Sequence, residues 1–198
     1  MVIGEMMKKL NEMTNEELWQ LFPIELARHN NDYAQWYESM KQRLLSSLKD
    51  DVFRINHIGS TAVKGLIAKP IVDILLEMNK GCSLKKLHKT ILKQGFILMN
   101  DTLDLPRHYV KGYTVNGFDD EVYHLHVRYP NDYNELYFRD YLRDHLDVCR
   151  QYEAVKLSLL KQFKHHRDHY TEGKTQFIES MTKKARSQYK NRYSVKEM

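Results

Sequence analysis

The chain is expected to fold as one α+β domain, a mixed β-sheet flanked by helices, with a helical C-terminal half. Short apolar runs with strand periodicity fall between residues 52 and 129, helical periodicity brackets them on both sides, and no repeat or linker divides the 198 residues. At 42% hydrophobic and 29% charged residues, the composition suits a globular chain that can bury a core and excludes collagenous or disordered classes. No apolar run approaches the ~18 residues that cross a bilayer. The start, Met1 to Lys9, has neither a hydrophobic stretch nor a small-residue cleavage site, so a cytoplasmic location without a membrane partner is expected. Cys82 and Cys149 are far apart and outside any C-x-x-C pattern, which favours inert thiols over a disulfide or zinc knuckle.

Taken in order, residues 1–20 read as an N-terminal extension in which Thr14 or Asn15, ahead of Glu16 and Glu17, starts a helix. The main domain is expected over 21–186. Tyr33, Trp36, Tyr37, Met40, Leu44, Leu45 and Leu48 repeat every 3.6 residues and predict an amphipathic helix. Val52 to Ile58 alternates into Gly59-Ser60, a strand closing in a tight turn, and Pro70 to Glu77 is an almost continuous apolar run, a buried central strand interrupted by Asp73. Ser83 to Gln94 predicts a helix stopped by Gly95, followed by a strand at Phe96 to Met99. Arg107 to Val115 and Val122 to Tyr129 form a hairpin around Asn116-Gly117 and acidic turn residues. Three helices follow, Asp132 to His145, Val148 to His169 and Thr171 to Gln188, and the polar tail 187–198 is expected to fray.

The net charge of +5 is concentrated at the end, where residues 151–198 carry 11 Lys and Arg against 5 Asp and Glu. A basic terminal helix can lie on a polyanion. Its aromatics, however, recur at packing positions rather than as stacking platforms, so nucleic acid is not the expected partner.

The chemistry concentrates in Ile58-Gly59-Ser60 and Asp73-Ile74-Leu75. A Gly-Ser turn after a strand lets backbone N–H groups and a hydroxyl approach phosphate oxygens, and an Asp from the adjacent strand can hold a divalent metal against them. This order resembles the hG[GS] turn and Dh[DE]h strand of the nucleotidyltransferase superfamily. The longer string from His57 through Gly59-Ser60-Thr61-Ala62-Val63-Lys64-Gly65-Leu66 to Lys69-Pro70-Ile71-Val72-Asp73-Ile74 is similar to the signature of the GrpB family, UPF0157, within that superfamily. Leu21-Phe22-Pro23-Ile24, Arg107 to Gly112, His124 to Val127, Phe138 to Arg143, and Tyr170, Lys174 and Phe177-Ile178 extend the likeness to nearly the whole chain. Lys64 stands where the family usually has Pro.

The resemblance implies a nucleotidyltransferase-like fold, a nucleotide or other phosphate-containing small molecule as ligand, NTP among them, and Mg²⁺, Mn²⁺ or Zn²⁺ as cofactor. Asp73 is the expected catalytic carboxylate and metal ligand. A polymerase-type enzyme carries its second acid at the position of Leu75, so Glu77, on the same strand face, is the remaining candidate from this strand. His124 and His126 share a face of the hairpin strand and meet Asp73 if the two strands adjoin; imidazole favours Mn²⁺ or Zn²⁺ over Mg²⁺. Gly59, Ser60, Thr61, Lys69, Lys111 and Arg139 are the candidate phosphate contacts. His165, His169 and the run His166-Arg167-Asp168 read as a solvated charged turn. Leu75 favours a second reading, a domain that binds its ligand without catalysis, and fusion of family members to dephospho-CoA kinase implies an accessory role of that kind.

Overall fold

The computed structural model describes residues 9–99, 102 and 104–195. Positions 1–8 of the expected extension, and positions 196–198 of the expected tail, lie outside the described residues. Strands β1 (Val52–Ile58), β2 (Val72–Met78), β3 (Ile97–Leu98), β4 (Arg107–Thr114) and β5 (Gly117–Arg128) form a five-stranded sheet in the order β1-β2-β5-β4-β3. Only β2 and β5 pair in parallel; the other neighbours are antiparallel. Helices α1 (Asn15–Leu21), α2 (Asp32–Leu48) and α3 (Leu84–Lys93) precede or interleave the strands, and α4 (Asn134–Asp144), α5 (Leu146–Phe163), α6 (Arg167–Glu172) and α7 (Thr175–Tyr189) follow them. This is the α+β mixed sheet with a helical C-terminal half that the sequence predicts.

Strand alternation divides the molecule. Val72, Ile74, Leu76 and Met78 of β2, with Tyr123, Leu125 and Val127 of β5, face α2 and α3, where Tyr33, Met40, Leu44, Leu48, Leu87 and Ile91 complete the main core. Asp73, Leu75, Glu77, His124 and His126 therefore take the opposite face. Near β1 that face is sealed by α4, whose Leu136 packs on Ile58 and Leu75. Behind it, Tyr137, Tyr141 and Leu142 of α4 pack on Val148, Cys149 and Tyr152 of α5 and Met181 and Ala185 of α7.

Three expectations are corrected. The acidic residues Asp119, Asp120 and Glu121 lie within β5 rather than in the turn, which tightens around Val115 and Asn116. The single helix expected over Val148 to His169 is two, because His166 takes an extended conformation (φ −138°, ψ 82°) as α6 begins. The break frees the Lys164 carbonyl to accept from the Ile24 N–H at 2.9 Å and turns Tyr170 into the interior, 1% exposed. The described part of the tail is anchored. The Tyr193 N–H donates to Tyr137 Oη at 3.2 Å, its ring lies edge-on to Tyr137 at 5.3 Å, and its hydroxyl donates to Asp140.

His57 shows how the turn after β1 is held. Its ring stacks on Tyr37 at 4.8 Å, and Nε2 lies 3.0 Å from the Thr61 hydroxyl, which donates to the Ile71 carbonyl. Burial depresses its pKa from 6.5 to about 4, with Arg143 and Arg139 adding to the effect and Asp73 opposing it. A histidine depressed on folding binds fewer protons in the native than in the unfolded state between these values, so its stability contribution is complete above pH 6.5 and is lost as pH falls toward 4. Denaturation in urea at pH 7 and pH 5 should show a loss on the order of 2 kcal/mol that is absent from His57→Gln; equal losses in both proteins would refute the account.

Candidate functional site

The parallel register sets Asp73 opposite His124 and Leu75 opposite His126. Both imidazoles lean toward the same carboxylate oxygen, with His124 Nδ1 at 3.2 Å and His126 Nε2 at 3.6 Å from Asp73 Oδ1. Burial pushes the Asp73 carboxyl up, yet the hydrogen bonds and positive potential of His124 and His126 outweigh it and hold the group well below the ordinary carboxylate range. Burial keeps His124 below its ordinary value despite Asp73, which favours a neutral ring beside an ionised carboxylate.

Gly59 supplies the other side of this nest. Its φ of +71° suits glycine, and a Cβ there would sit 2.4 Å from Asp73 Oδ2. The residue makes room for the carboxylate itself, in addition to shaping the turn. Gly112, at φ +85°, interrupts the alternation of β4, where the register with β5 shifts between Lys111 and Tyr113. Regular alternation would send Tyr113 to the Lys111 side. Instead its hydroxyl reaches His124 Nε2 at 2.8 Å and accepts from Arg167 Nη1 at 3.1 Å. One proton arrangement satisfies the chain: Arg167 donates to Tyr113, Tyr113 to His124 Nε2, and His124 Nδ1–H to Asp73.

Around this relay lies a cleft of about 300 Å³ lined by the Gly59-Ser60-Thr61 turn, Lys69, Asp73, His124, Tyr152, Lys156, Arg167, Tyr170 and Lys174, among others. Four of its described lining residues are cationic and Asp73 is the one carboxylate. Lys156, on α5, is 2% exposed; its ammonium donates to the Ile67 carbonyl, lies 3.4 Å from Ser60 Oγ and sits 4.6 Å from the Tyr152 ring centre. Burial lowers both Lys156 and Lys69 to about 7, with Arg167 and Lys174 adding to the effect on Lys69. Burial also lowers Lys174, which lies over the Tyr170 ring at 4.6 Å. Such a cleft holds concentrated positive potential at high desolvation cost, and an anion relieves it.

The fold thus brings together Gly59, Ser60, Lys69, Asp73, His124 and His126. Thr61 borders the cleft, but its hydroxyl is engaged by Ile71 and His57. Three expectations are corrected. Glu77 is fully buried farther along β2, bound by Arg54 at 2.5 and 2.7 Å and by the Asn131 N–H at 3.3 Å. Lys111 points to the opposite sheet face, where it donates to the Gln94 carbonyl at 2.9 Å. Arg139 is consumed by Asn56, the His57 carbonyl, Asp140 and Tyr193. Arg167, read from sequence as part of a solvated turn, lines the cleft. Lys156 was also missed, although a lysine continuing the stripe of Cys149 and Tyr152 at helical spacing is a detectable sign of a buried cation.

Asp73, His124 and His126 are also the set of described residues whose ligand atoms could hold a metal ion, all within 4.8 Å of one another. One carboxylate with two imidazoles suits Zn²⁺ or Mn²⁺ better than Mg²⁺. To ligate an ion beside Asp73, His124 would give up its Nδ1 proton and carry it on Nε2, which would then donate to Tyr113 Oη as the outer-shell hydrogen bond that orients the ring. The residues therefore fit such an ion.

Comparison with known proteins places this geometry in context. A family model described as GrpB protein matches residues 23–184. The UPF0157 protein YqkA of Bacillus subtilis is 26% identical over 88% of this chain, and the chain spans only 52% of that relative's length. The glutamate-rich protein GrpB of Alkalihalophilus pseudofirmus is 29% identical, with 79% of this chain and 92% of the relative covered. The crystal structure of conserved protein GrpB from Enterococcus faecalis superposes with a TM-score of 0.72 at 26% identity, covering 83% of this chain and 99% of that one. No helix among the described residues is long and apolar enough to cross a membrane.

The contact between Gly59 and Asp73 predicts that Gly59→Ala displaces the carboxylate and strains the turn. A stability loss on the order of 2 kcal/mol is expected in chemical denaturation, with a changed His124 side-chain NMR shift. Wild-type stability and an unmoved shift would show that the close approach is not required.

Proposed function

The chain belongs to the GrpB family, and from that premise we propose that its cleft binds a nucleotide or another phosphate-containing small molecule together with a divalent metal ion, in the manner of a nucleotidyltransferase-like domain. The observation that carries this reading is the convergence of Lys69, Lys156, Arg167 and Lys174 on a glycine-serine turn with one ionised carboxylate. Phosphates suit the cations and the turn. Asp73 and His124, with His126 beside them, would hold the metal, which supplies Lewis-acid polarisation of a phosphoryl oxygen when bound. Arg167 and the lysines would orient the phosphates and offset charge that develops on their oxygens, and Tyr113 would keep His124 aimed at the metal position. The reaction class this supports is nucleotidyl or phosphoryl transfer to a small acceptor.

Leu75 favours the second reading, ligand binding without transfer. It is fully buried against Ile58 and Leu136, and among the described residues no second acid joins Asp73 in a metal-holding cluster. Calorimetric titration with a nucleoside triphosphate and Mn²⁺ or Zn²⁺ should show metal-dependent binding that Asp73→Asn weakens by at least about tenfold; equal binding by the variant would end the proposal. Transfer of labelled phosphate in the same mixtures separates the two readings.

The lysines also set a pH dependence. An anion binds their charged forms, which in the free cleft are present below about pH 7 for Lys156 and Lys69. Affinity for sulfate, whose own charge is constant in this range, should fall by about tenfold or more from pH 7 to pH 9, with proton uptake at pH 8. A flat profile without uptake would show that these ammonium groups do not meet the anion.

A further inference from the structure

A second cavity, of about 460 Å³, shares Arg167 with the cleft. Met13, Leu18 and Trp19 border it from the N-terminal segment, and Ile97, Met99 and Val110 from the outer strands. Its lining is mainly apolar. Apart from Arg167 and Tyr113, its polar side chains among the described residues are Asn11 and Asn15. Ile97 and Met99 are 49% and 61% exposed beside it, large apolar side chains left open to solvent on an edge strand.

The two cavities meet at Arg167, a wall residue of both, and Tyr113, which lines the apolar cavity, is hydrogen-bonded to His124 in the cationic one. Arg167 uses Nη1 on Tyr113, while Nη2 is buried with no hydrogen-bond partner among the described residues. A buried guanidinium N–H without an acceptor is costly and calls for an anion. The wall therefore carries a demand for negative charge next to a chamber that rewards apolar matter and would leave the hydrogen-bonding edges of a nucleobase largely unmet.

We propose that the ligand is an organic phosphate with an apolar portion: its anionic group sits among Lys69, Lys156, Lys174 and Arg167, and its alkyl or aryl portion fills the chamber under α1. This rests on the phosphate-binding reading above and narrows it from phosphate compounds in general to amphiphilic phosphate esters.

Titrations with methyl, butyl and hexyl phosphate, with hexanol as the uncharged control, test the proposal on the full chain. Burial of each methylene should tighten binding by about three- to fourfold until the chamber is full, and hexyl phosphate should shift the fluorescence of Trp19 where methyl phosphate does not. Replacing the exposed pair, Ile97→Asn with Met99→Asn, should flatten the chain-length gain and leave methyl phosphate binding unchanged; Trp19→Phe should remove the fluorescence shift. If no phosphate binds, the phosphate-binding reading falls and this inference with it. If methyl phosphate binds and hexyl phosphate binds no tighter, only the amphiphile is refuted. Hexanol binding as tightly as hexyl phosphate, or a chain-length gain that survives in the double variant, would likewise overturn it.

Discussion

An ionised carboxylate in the middle of an apolar strand has to be compensated from every side, and the compensation of Asp73 organises the cleft. The parallel pairing of β2 with β5 places His124 directly across from it, and Gly59 approaches closely enough that only hydrogen fits between the turn and Oδ2. Tyr113 reaches His124 because the strand loses its alternation at Gly112, and Arg167 reaches Tyr113 because the C-terminal helices break before it. Four side chains from four elements are thereby joined in one hydrogen-bonded line, and two of them, Tyr113 and Arg167, depend on a local departure from regular structure. Such a network is costly if half made and rigid when complete.

Two cationic clusters in the molecule show the difference between structure and site. Around Asp140, Arg139 and Arg192 each make an ion pair at 2.9 Å, Arg143 approaches at 3.7 Å and Tyr193 adds its hydroxyl, so every arginine of the cluster faces the carboxylate directly and the cluster ties the C-terminal turn to α4. Around the Gly59-Ser60 turn, four cations share one carboxylate that two histidines already engage. Among the described residues Lys156 is bound by the Ile67 carbonyl, the Ser60 hydroxyl and the Tyr152 ring, and the Glu153 carboxylate acts on it through space without an ion pair. In the first cluster the outer arginines Arg143 and Arg192 are paired and reach solvent, whereas in the second Lys156 is buried and no ion pair reaches the four cations among the described residues. Burial without neutralisation is the state that a bound anion corrects, and the depressed lysines are its signature.

The parts legible in the sequence were those governed by short-range periodicity. Alternation over two residues identified β1 and placed His124 and His126 on one face, and an almost continuous apolar run identified β2 with Asp73 alone in it. Alternation along β4 sets Lys111 on the side of Arg107 and Tyr109, but which side of the sheet that is follows only from α2 and α3 packing over it. Glu77 was on the right face, yet its partner Arg54 lies 23 residues away. Tyr113 was hidden because Gly112 reverses the alternation that would otherwise predict its direction. Arg167 and Lys174 were hidden by a helix break that no proline announces, and Lys156 because a buried lysine is rare enough to be read as surface.

Leu75 brings the fold and the chemistry together. Positions 73, 75 and 77 project from the same face of β2, but their surroundings differ steeply along the strand. Asp73 borders the cleft, Leu75 is sealed under Leu136 of α4 with Ile58, and Glu77 is enclosed with Arg54. An acid at position 75 would have no cation from the cleft within its apolar cluster and would carry the full cost of a buried charge. The aliphatic side chain is thus part of how α4 docks on the sheet, and the polar site ends at Asp73 because the helix begins to cover the strand immediately beyond it. In the nucleotidyltransferase reading, any metal chemistry is confined to one carboxylate and the histidines beside it, with the remaining electrostatic work left to the cations across the cleft.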